Sequence, residues 1–513
     1  MIPMTLADIA EAVGGRLVDV PDAHAQVTGG VEFDSRKIGP GGLFVALNGA
    51  NSDGHEFAAT AVGQGAVAVL AARPVGVPAI VVDPRPDLVV EGSGASEHDA
   101  DGSGAAVLQA LGALARASVT GLVAGHGLNV VGVTGSSGKT STKDLIASVL
   151  APLGPVVAPP GSFNNELGHP WTALRADADT RNLVLELSAR GIGHIRTLAQ
   201  IAPPRIGVVL NVGFAHLGEF GSQEAIAQAK GELVEALPAA ADGGVAILNA
   251  DDPLVSAMAS RTTARVVLVG QSTKAGVRAT GVRLDSQARA SFTLEVADGG
   301  SAAVTLSVHG EHQIGNALSA AAVALECGAD VAQIAAALSA SAAVSGRRMD
   351  VRTRADAVTV INDSYNANPD SMRAAIRAMV TMARSEPEHG VPMPERGKRK
   401  TWAILGEMGE LGPDAVVEHD ALGRFAVRMD VEKIICVGSN RAMNALYQGA
   451  VMEGSWADEA ALVPDVAAAV ELLEDELEPG DIVLVKASQS VGLWRVADAL
   501  LTPDNTDQPE AGA

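Results

Sequence analysis

A glycine-rich segment followed by lysine and threonine is the clearest chemical signal in this chain of 513 residues. The segment is GVTGSSGKT, residues 132–140, and it lies between a β-branched run and a helical pattern. Backbone N–H groups of such a loop approach phosphates, the lysine meets the β- and γ-oxygens, and the threonine can hold Mg²⁺. Val133 occupies the first glycine position of the strict spacing. We predict a nucleotide-binding loop made of Gly135, Ser136, Ser137, Gly138, Lys139, Thr140 and Ser141. Kinases, ATPases, GTPases and ligases all use such loops, so this loop does not define the reaction.

Two further segments carry possible metal ligands at the ends of predicted strands. The run Leu183–Leu187 contains Glu186 near its end, and the run Ile206–Asn211 is followed by His216. Ligands collect at the carboxyl edge of open α/β sheets, so these side chains could hold a metal ion beside the phosphates. For His216 taken alone, a structural role fits the pattern equally well.

Lys230 occupies an unusual position on a predicted helix. At helical spacing it shares one face with Ile226, Leu233 and Val234, so it lies on the apolar side. Burial lowers the pKa of a lysine and leaves a neutral amine, which can react with carbon dioxide to form a carbamate. The alternative is a lysine whose stem packs while its ammonium reaches water. The helical pattern leaves both interpretations open.

The fold class follows from short β-branched runs that alternate with helical segments. One group of runs is Val130–Thr134, Leu183–Leu187, Ile206–Asn211, Val245–Asn249 and Val266–Val269. A second group is Ala357–Ile361, Trp402–Leu405, Lys433–Val437 and Ile482–Val485. This alternation predicts an α/β protein with a mostly parallel sheet, followed by a second, Rossmann-like α/β domain.

Length and charge limit the class of protein further. A chain of this length predicts about three domains. The net charge of -23 argues against sequence-independent binding to nucleic acid or to an anionic membrane surface. The first residues lack a basic leader and a long apolar stretch, so we expect no signal peptide, no membrane insertion and a cytoplasmic location. The stretch 84–104 is rich in Asp, Glu, Gly and Ser, which predicts a flexible insertion.

Nine sequence blocks, in order along nearly the whole chain, resemble the Mur ligases. The blocks are GVTGSSGKT (132–140), the segment around Glu186, NVGFAHLGEFGS (211–222), AKGE (229–232), NADDP (249–253), GEHQIGNALSAA (310–321), SGRRMD (345–350), NDSYNANPDS (362–371) and GEMGELG (406–412). The resemblance implies a UDP-sugar-binding domain over 1–104, with 84–104 as the insertion. It also implies a central phosphate-loop ATPase domain over 105–344 and a Rossmann-like ligase domain over 345–513.

The resemblance also implies an activity, namely ATP-dependent amide-bond formation through an acyl phosphate. The blocks FDSRKIGPGGLFVALNGANSDGHEF (33–57), SYNANPDS (364–371) and GEMGELG (406–412) are similar to one branch of the family. That branch adds D-alanyl-D-alanine to a UDP-linked muramoyl tripeptide during peptidoglycan synthesis, and so serves cell-wall biogenesis, cell shape and cell division. We therefore expect these two small-molecule substrates, ATP and Mg²⁺, and a monomeric enzyme.

Roles for individual residues are carried over from the resemblance. Lys139, Glu186, His216 and Lys230 would be catalytic. Thr140 and Glu186 would hold one Mg²⁺, and His216 with a carbamylated Lys230 would hold a second. The remaining predicted contacts are Asn316 and Asp363 with the nucleoside, Arg347 with the phosphates, Ser35 and Arg36 with the uridine diphosphate, Asn164 and Asn165 with the muramoyl peptide, and Tyr365, Asn366 and Asn368 with the substrates at the reacting centre.

Three residues depart from the family pattern. Gln313 stands where the family usually has Asn, and Ala487 and Gln489 replace the usual Gly and Arg.

Folylpolyglutamate synthase has the same fold and chemistry but would need a pteridine pocket. The sister ligase that adds the third amino acid has a DNPR motif, which this sequence lacks. A non-catalytic nucleotide-binding scaffold would not need the predicted catalytic and metal-binding residues together.

Overall fold

The computed structural model describes residues 1–49, 52–88, 99, 101–215, 217–297, 299–385, 398–454 and 459–502. His216 and most of the insertion predicted at 84–104 therefore lie outside the described residues. In the described part of 84–104, Pro86–Leu88 forms a 3₁₀ turn, and a long helix begins at Ser103. The buried Asp99 carboxylate accepts hydrogen bonds from the first N–H groups of that helix, at Gly104 and Ala105.

The N-terminal region is built on a five-stranded sheet. Its strands, in spatial order, are Arg16–Val18, Ala79–Val81, Ala68–Ala71, Leu43–Val45 and Val31–Glu32. Only the first pair is antiparallel. Along the strands, side chains point alternately into two apolar clusters, as the two-residue period of a strand requires. The other elements of this region are the antiparallel pair Met4–Thr5 and Gln26–Val27, the helices Leu6–Val13 and Ala58–Gly63, and the 3₁₀ turn Gly54–Phe57.

A long helix, Ser103–His126, joins the N-terminal region to the central one. It contacts the helices Leu6–Val13, Gly168–Ala173 and His194–Ile201, so both regions cover it. Among the described residues it is the one helix with the length and apolarity of a membrane span, but 56% of its most apolar window is buried inside the structure. Such burial is typical of a core helix.

The central region is a nine-stranded sheet. In spatial order its strands are Gly300–His309, Arg289–Val296, Val277–Leu284, Arg265–Gly270, Val245–Asn249, Ile206–Val209, Asn129–Thr134, Asn182–Glu186 and Val156–Val157. The first three form an antiparallel extension that sequence reasoning did not predict. The helices are Lys139–Leu150, Gly168–Ala173, His194–Ile201, Leu217–Phe220, Gln223–Glu235, Pro253–Ser256, Gln313–Glu326 and Val331–Ala340, with 3₁₀ turns at Ala151–Leu153, Ala240–Asp242 and Ala257–Arg261.

Helices cover both faces of the central sheet. Lys139–Leu150 and Gln313–Glu326 pack together on one face, where small residues of the second helix such as Ala317 and Ala321 allow a close approach. Gln223–Glu235 and His194–Ile201 pack on the other face. The sheet is therefore buried on both sides, and its parallel strands bring their carboxyl ends to one edge.

The C-terminal region is a six-stranded sheet with one antiparallel edge strand. In spatial order its strands are Asp350–Thr353, Thr359–Asn362, Ile482–Lys486, Thr401–Leu405, Lys433–Val437 and Ala460–Val463. Its helices are Pro369–Arg384, Ala415–Arg428, Arg441–Glu453, Val466–Glu476 and Trp494–Leu501, with 3₁₀ turns at Gly412–Asp414 and Gln489–Val491. Every strand predicted for the central and C-terminal regions is present, with ends that differ by no more than two residues. The predicted α/β architecture is confirmed.

Candidate active site

A cleft of about 1510 Å³ lies where the three regions meet. Its walls contain residues from the N-terminal sheet, from the central phosphate loop and from the C-terminal segment after Thr359–Asn362. Most of the predicted site residues line it: Ser35, Arg36, Ser136, Ser137, Gly138, Lys139, Thr140, Ser141, Asn164, Asn165, Asn316, Asp363, Tyr365, Asn366 and Asn368. Gly135, Glu186, Lys230 and Arg347 do not line the cleft surface. His216 is outside the described residues.

The predicted nucleotide-binding loop joins the strand Asn129–Thr134 to the helix Lys139–Leu150. Gly138 has φ +81°, and a Cβ there would lie 2.8 Å from Asn316 Oδ1, so only glycine fits without rearrangement. Lys139 Nζ donates to the Gly135 carbonyl at 2.7 Å. Burial lowers the pKa of Lys139, Glu186 opposes this shift, and the charge of Arg348 adds to it.

Asn211 holds the predicted nucleotide-binding loop in place. Its Oδ1 accepts from the Ser137 N–H at 2.9 Å, and its Nδ2 donates to the Ser137 carbonyl at 3.2 Å. Its backbone carbonyl accepts from the Ser136 N–H at 3.1 Å. Sequence reasoning did not assign a role to Asn211, although its place two residues after the end of a buried strand could have indicated one.

Glu186 ends the strand Asn182–Glu186 and is completely buried. Its Oε2 accepts from Ser162 Oγ at 3.2 Å and from Asn164 Nδ2 at 3.3 Å. Its Oε1 is buried without a hydrogen-bond partner among the described residues. An unpaired buried carboxylate oxygen is costly unless a cation meets it, and Thr140 lies on the other side of Ser162. The donor set is therefore suited to a hard divalent cation such as Mg²⁺.

His169 contacts the backbone of Glu186. It is fully buried, and burial lowers its pKa to about 4. The neutral ring lies with Nδ1 3.2 Å from the Glu186 carbonyl, so Nδ1 carries the proton and donates it. Sequence reasoning did not identify His169 or Ser162.

Lys230 lies on the helix Gln223–Glu235, which Ser222 caps through the Ala225 N–H. Only 3% of Lys230 is exposed. Burial first, and the charge of Lys139 second, hold its pKa well below the ordinary value. Among the described residues none forms a hydrogen bond or an ion pair with its amine. The described part of the chain contains no cluster of three or more His, Cys, Asp or Glu side chains suited to a metal, and the second predicted metal site needs His216.

The C-terminal wall of the cleft is fixed by Lys486, which was not predicted. Lys486 is 2% exposed, and its Nζ donates to Asp363 Oδ2 at 2.6 Å and to the Asn366 carbonyl at 2.9 Å. Asn368 caps the helix Pro369–Arg384 by accepting from the Ser371 N–H. Its Nδ2 also lies 3.5 Å from the Ser136 carbonyl. The C-terminal region therefore touches the predicted nucleotide-binding loop directly.

The two arginines of the SGRRMD block point in different directions. The guanidinium of Arg347 stacks on Trp494, with 4.1 Å between its central carbon and the ring centroid. Arg348 stacks on Tyr365 at 4.2 Å and lines the cleft. Sequence reasoning predicted Arg347 at the phosphates, whereas the structure brings its neighbour Arg348 to the cleft.

The structure shows what two of the residues that depart from the family pattern, Gln313 and Ala487, contact. Gln313 Oε1 accepts from Asn316 Nδ2 at 2.8 Å, so Gln313 orients the amide that faces the predicted nucleotide-binding loop. Ala487 is buried, and a Cβ at Gly406 would lie 2.7 Å from the Ala487 methyl group. The neighbouring Ser488 Oγ accepts from the Gly409 N–H at 2.8 Å, which ties the 406–412 loop to the cleft.

Ser35 and Arg36 form the N-terminal wall of the cleft. The guanidinium of Arg36 pairs with Asp34 through two contacts of 2.9 Å. Hydrogen bonds from Arg36 lower the pKa of Asp34 to about 2. The wall therefore carries an arginine that a carboxylate already orients.

Family models match along most of the chain, and with this fold and site they define the class of protein. They are the Mur ligase family catalytic domain over 28–117, the Mur ligase middle domain over 133–324 and the Mur ligase glutamate ligase domain over 347–489. The chain belongs to the Mur ligase family, and it is a ligase.

Individual members of the Mur ligase family are similar to this chain over nearly its whole length. The UDP-N-acetylmuramoyl-tripeptide--D-alanyl-D-alanine ligase of Mycobacterium tuberculosis is 58% identical over 98% of this chain and 99% of the relative. MurF from Acinetobacter baumannii has a similar structure, with a TM-score of 0.79 and 28% identity over 98% of this chain and 99% of that one. MurF ligase from Thermotoga maritima in complex with ADP has a TM-score of 0.72 and 26% identity, over 92% and 97% of the two chains.

Proposed function

We propose that this protein joins D-alanyl-D-alanine to UDP-N-acetylmuramoyl-tripeptide at the expense of ATP, and so makes a precursor of peptidoglycan in the cytoplasm. The observation that carries this proposal is the single cleft shared by Ser35 and Arg36, the predicted nucleotide-binding loop and the segment Asp363–Asn368. The relatives at 58% identity carry the name of this activity.

The chemistry begins with a carboxylate that must become an electrophile. An oxygen of the tripeptide carboxylate attacks the γ-phosphorus of ATP, the bond to the β-phosphate oxygen breaks, and ADP leaves. Lys139 and the backbone N–H groups of the predicted nucleotide-binding loop offset the charge of the transferred group. The product of this step is an acyl phosphate.

Mg²⁺ fits this site because Glu186 Oε1 is buried and unpaired among the described residues. Thr140 and Glu186 would hold one ion, and His216 with a carbamylated Lys230 would hold a second. When bound, Mg²⁺ supplies positive charge that offsets the charge of the phosphates. Burial holds the pKa of the Lys230 amine well below its ordinary value, which supports the carbamate, since a neutral amine can attack carbon dioxide and lose a proton.

The second step forms the amide bond. The amine of the dipeptide, after losing a proton, attacks the acyl carbon, and inorganic phosphate leaves with one of the original carboxylate oxygens. Tyr365, Asn366 and Asn368 would surround this centre. The approach of Asn368 to the Ser136 carbonyl supports a closed arrangement in which water is kept from the acyl phosphate.

We also propose the division into domains over 1–104, 105–344 and 345–513. The three larger sheets, of five, nine and six strands, support it, and the first boundary falls in the first turn of the helix Ser103–His126. Most of the predicted binding residues line one cleft formed within a single chain, and we propose a monomeric enzyme.

The test is ADP release measured with defined pairs of acceptor and amine. ADP should appear only when UDP-muramoyl-tripeptide and D-alanyl-D-alanine are both present. L-alanyl-L-alanine and D-alanine alone should be poor replacements, because an amine of the wrong shape leaves buried polar groups of the site unpaired. Turnover with folate and glutamate, or equal turnover with a single amino acid, would contradict the proposed substrates.

A further inference from the structure

A cluster of aromatic side chains lies between two walls of the cleft and has no role in the proposed mechanism. Only 3% of the residues of this protein are aromatic, yet Phe33, Phe163 and Trp171 pack together. The Trp171 ring centroid lies 5.7 Å from that of Phe33, at an interplanar angle of 70°, and 4.9 Å from that of Phe163, at 44°. The guanidinium of Arg175 covers the Trp171 ring at 5.3 Å. We call the three rings the aromatic cluster.

Two members of the aromatic cluster are neighbours, along the chain, of predicted substrate contacts. Phe33 lies just before the N-terminal wall of the cleft and lines the cleft with it. Phe163 directly precedes Asn164 and Asn165, which line the cleft on the central region and are called the peptide wall here. Trp171 contacts both phenylalanines, so it connects the segments that carry the two walls.

The helix Gly168–Ala173 holds the peptide wall and Trp171 together. Asn165 Oδ1 accepts from the Gly168 N–H at 2.9 Å, at the start of this helix. A Cβ at Gly168 would lie 2.7 Å from the Phe163 Cβ, so glycine is needed for Phe163 to pack this closely. The helix and the peptide wall therefore form one unit, and Trp171 is a part of that unit that contacts the N-terminal region.

The polar atoms at this contact are not fully matched. Trp171 Nε1 and Glu32 Oε2 are both buried and have no hydrogen-bond partner among the described residues. Burial raises the pKa of Glu32, while the Trp171 side chain and the charges of Lys37 and Arg175 oppose this shift. An apolar side chain would fill the same space without burying an unpaired N–H group. Packing of the interface alone therefore does not account for a tryptophan at this position.

We propose that Trp171 is a positioning residue that sets the spacing between the N-terminal wall and the peptide wall. This inference rests on the proposed function, because its ligand is UDP-muramoyl-tripeptide. That acceptor is one molecule that contacts both walls, so binding at the second wall is intramolecular once the first is occupied. Its strength then depends on whether the spacing of the walls matches the ligand. Aromatic pairs have preferred geometries, so the aromatic cluster favours one spacing over others.

The test compares the binding of UDP with the binding of UDP-muramoyl-tripeptide by isothermal titration calorimetry. In the wild-type protein the complete acceptor should bind more tightly than UDP, which reaches the N-terminal wall alone. Trp171→Leu should weaken the acceptor at least about tenfold and change UDP and β,γ-imido-ATP by less than about threefold. In turnover, the KM for the acceptor should rise by a similar factor while the KM for ATP stays the same.

Two further variants separate the ring contact from a general loss of structure. Trp171→Phe keeps a ring between the two phenylalanines, so its affinity for the acceptor should stay within about threefold of the wild type. Phe163 does not line the cleft, and Phe163→Leu removes one ring that contacts Trp171. It should show the same selective loss as Trp171→Leu, so the test does not depend on the folding of a single variant.

Phe425→Leu is the matched control, because Phe425 is a partly buried ring that Arg377 covers outside the cleft. It should leave all the affinities unchanged, and melting curves should show which variants are folded. Equal weakening of UDP and the acceptor in Trp171→Leu, no weakening of either, or a Trp171→Phe variant as weak as Trp171→Leu would each overturn the inference. A wild-type protein that binds neither UDP nor the acceptor would contradict the proposed function itself.

Discussion

Thr140 and Glu186 meet on opposite sides of a single hydroxyl group. Thr140 Oγ1 donates to Ser162 Oγ at 3.4 Å, and Ser162 Oγ donates to Glu186 Oε2 at 3.2 Å. The two side chains come from the start of a helix and the end of a strand. The fold thus brings the predicted ligands of one Mg²⁺ together and leaves the second oxygen of Glu186 unpaired among the described residues.

Replacing Glu186 should lower the activity of the protein without lowering its thermal stability. In Glu186→Gln we expect ADP release to fall at least about a hundredfold, because the charge that would hold Mg²⁺ is gone. The melting temperature should stay the same or rise, since the change removes a buried charge that has one oxygen without a partner among the described residues. ADP release over a range of Mg²⁺ concentrations and differential scanning calorimetry measure the two effects.

Glu232 is the matched control, because it is also fully buried but both of its oxygens have partners. It accepts from the N–H groups of Gly193 and Arg196 at 2.5 and 3.1 Å. Glu232→Gln should therefore lower the melting temperature and keep the turnover of the folded protein. The reverse pattern, with a stable Glu232→Gln and an active Glu186→Gln, would contradict the assigned roles.

Lys230 should be essential for turnover but not for folding. Lys230→Met keeps the buried stem, and we expect its ADP release to fall at least about a hundredfold. A small carboxylate such as acetate should restore part of the activity of Lys230→Ala by standing in for the carbamate. Carbon-13 NMR after exposure to labelled bicarbonate should detect a carbamate in the wild type but not in Lys230→Met. Full activity in the Met variant would rule out this role.

The contact between Gly218 and Gly412 should control domain closure. The Gly218 N–H donates to the Glu410 carbonyl at 3.2 Å, and a Cβ at Gly218 would lie 2.5 Å from the Gly412 nitrogen. Gly218→Ala should therefore push the C-terminal region away and lower kcat about 10- to 100-fold. Small-angle X-ray scattering should show a larger radius of gyration.

Gly125→Ala is the control for this change, because a Cβ at that helical position meets nothing within 4 Å. It should leave kcat and the radius of gyration unchanged and stabilise the protein by about 0.4–1 kcal/mol. If Gly218→Ala behaves in the same way, the glycine contact has no role in closure.

His419 should make the stability of the protein depend on pH. Burial lowers its pKa from the usual value of 6.5, and its Nε2 accepts from the Met408 N–H at 3.0 Å. A lowered pKa means that the folded protein resists protonation more than the unfolded chain does. The stabilising effect is therefore complete above about pH 6.5 and is lost as the pH falls below it.

Melting temperatures at pH 7.5 and pH 5.5 test this prediction. The melting temperature of the wild type should fall more on acidification than that of His419→Gln. The glutamine side chain can still accept from the Met408 N–H but does not titrate. Part of the loss should remain in the variant, because burial also lowers the pKa of His169 and His312. An identical loss in both proteins would show that His419 is not involved.

The strands and the predicted nucleotide-binding loop could be predicted because their signals are local. A β-branched run ending in a polar residue marks a buried parallel strand, and Gly138-Lys139-Thr140 marks the turn into the next helix. Placing Ser35, Asn164 and Tyr365 in one cleft required the resemblance, since their separation along the chain gives no local signal.

Other features depend on tertiary contacts that no sequence pattern shows. The strands Val277–Leu284, Arg289–Val296 and Gly300–His309 carry many exposed polar residues, so their alternation is weak and they were missed. The choice between Arg347 and Arg348 depends on the backbone angles of one turn. The roles of Lys486 and His169 depend on which carbonyl or carboxylate they meet in the folded protein.

The central claim is that ATP activates the tripeptide carboxylate by phosphoryl transfer, and an isotope measurement tests it most directly. UDP-muramoyl-tripeptide labelled with oxygen-18 in the reacting carboxylate is converted with ATP and D-alanyl-D-alanine, and the products are analysed by mass spectrometry. An acyl phosphate predicts one labelled oxygen in each inorganic phosphate and the other in the new amide carbonyl. Unlabelled phosphate, or label found in AMP, would contradict the mechanism.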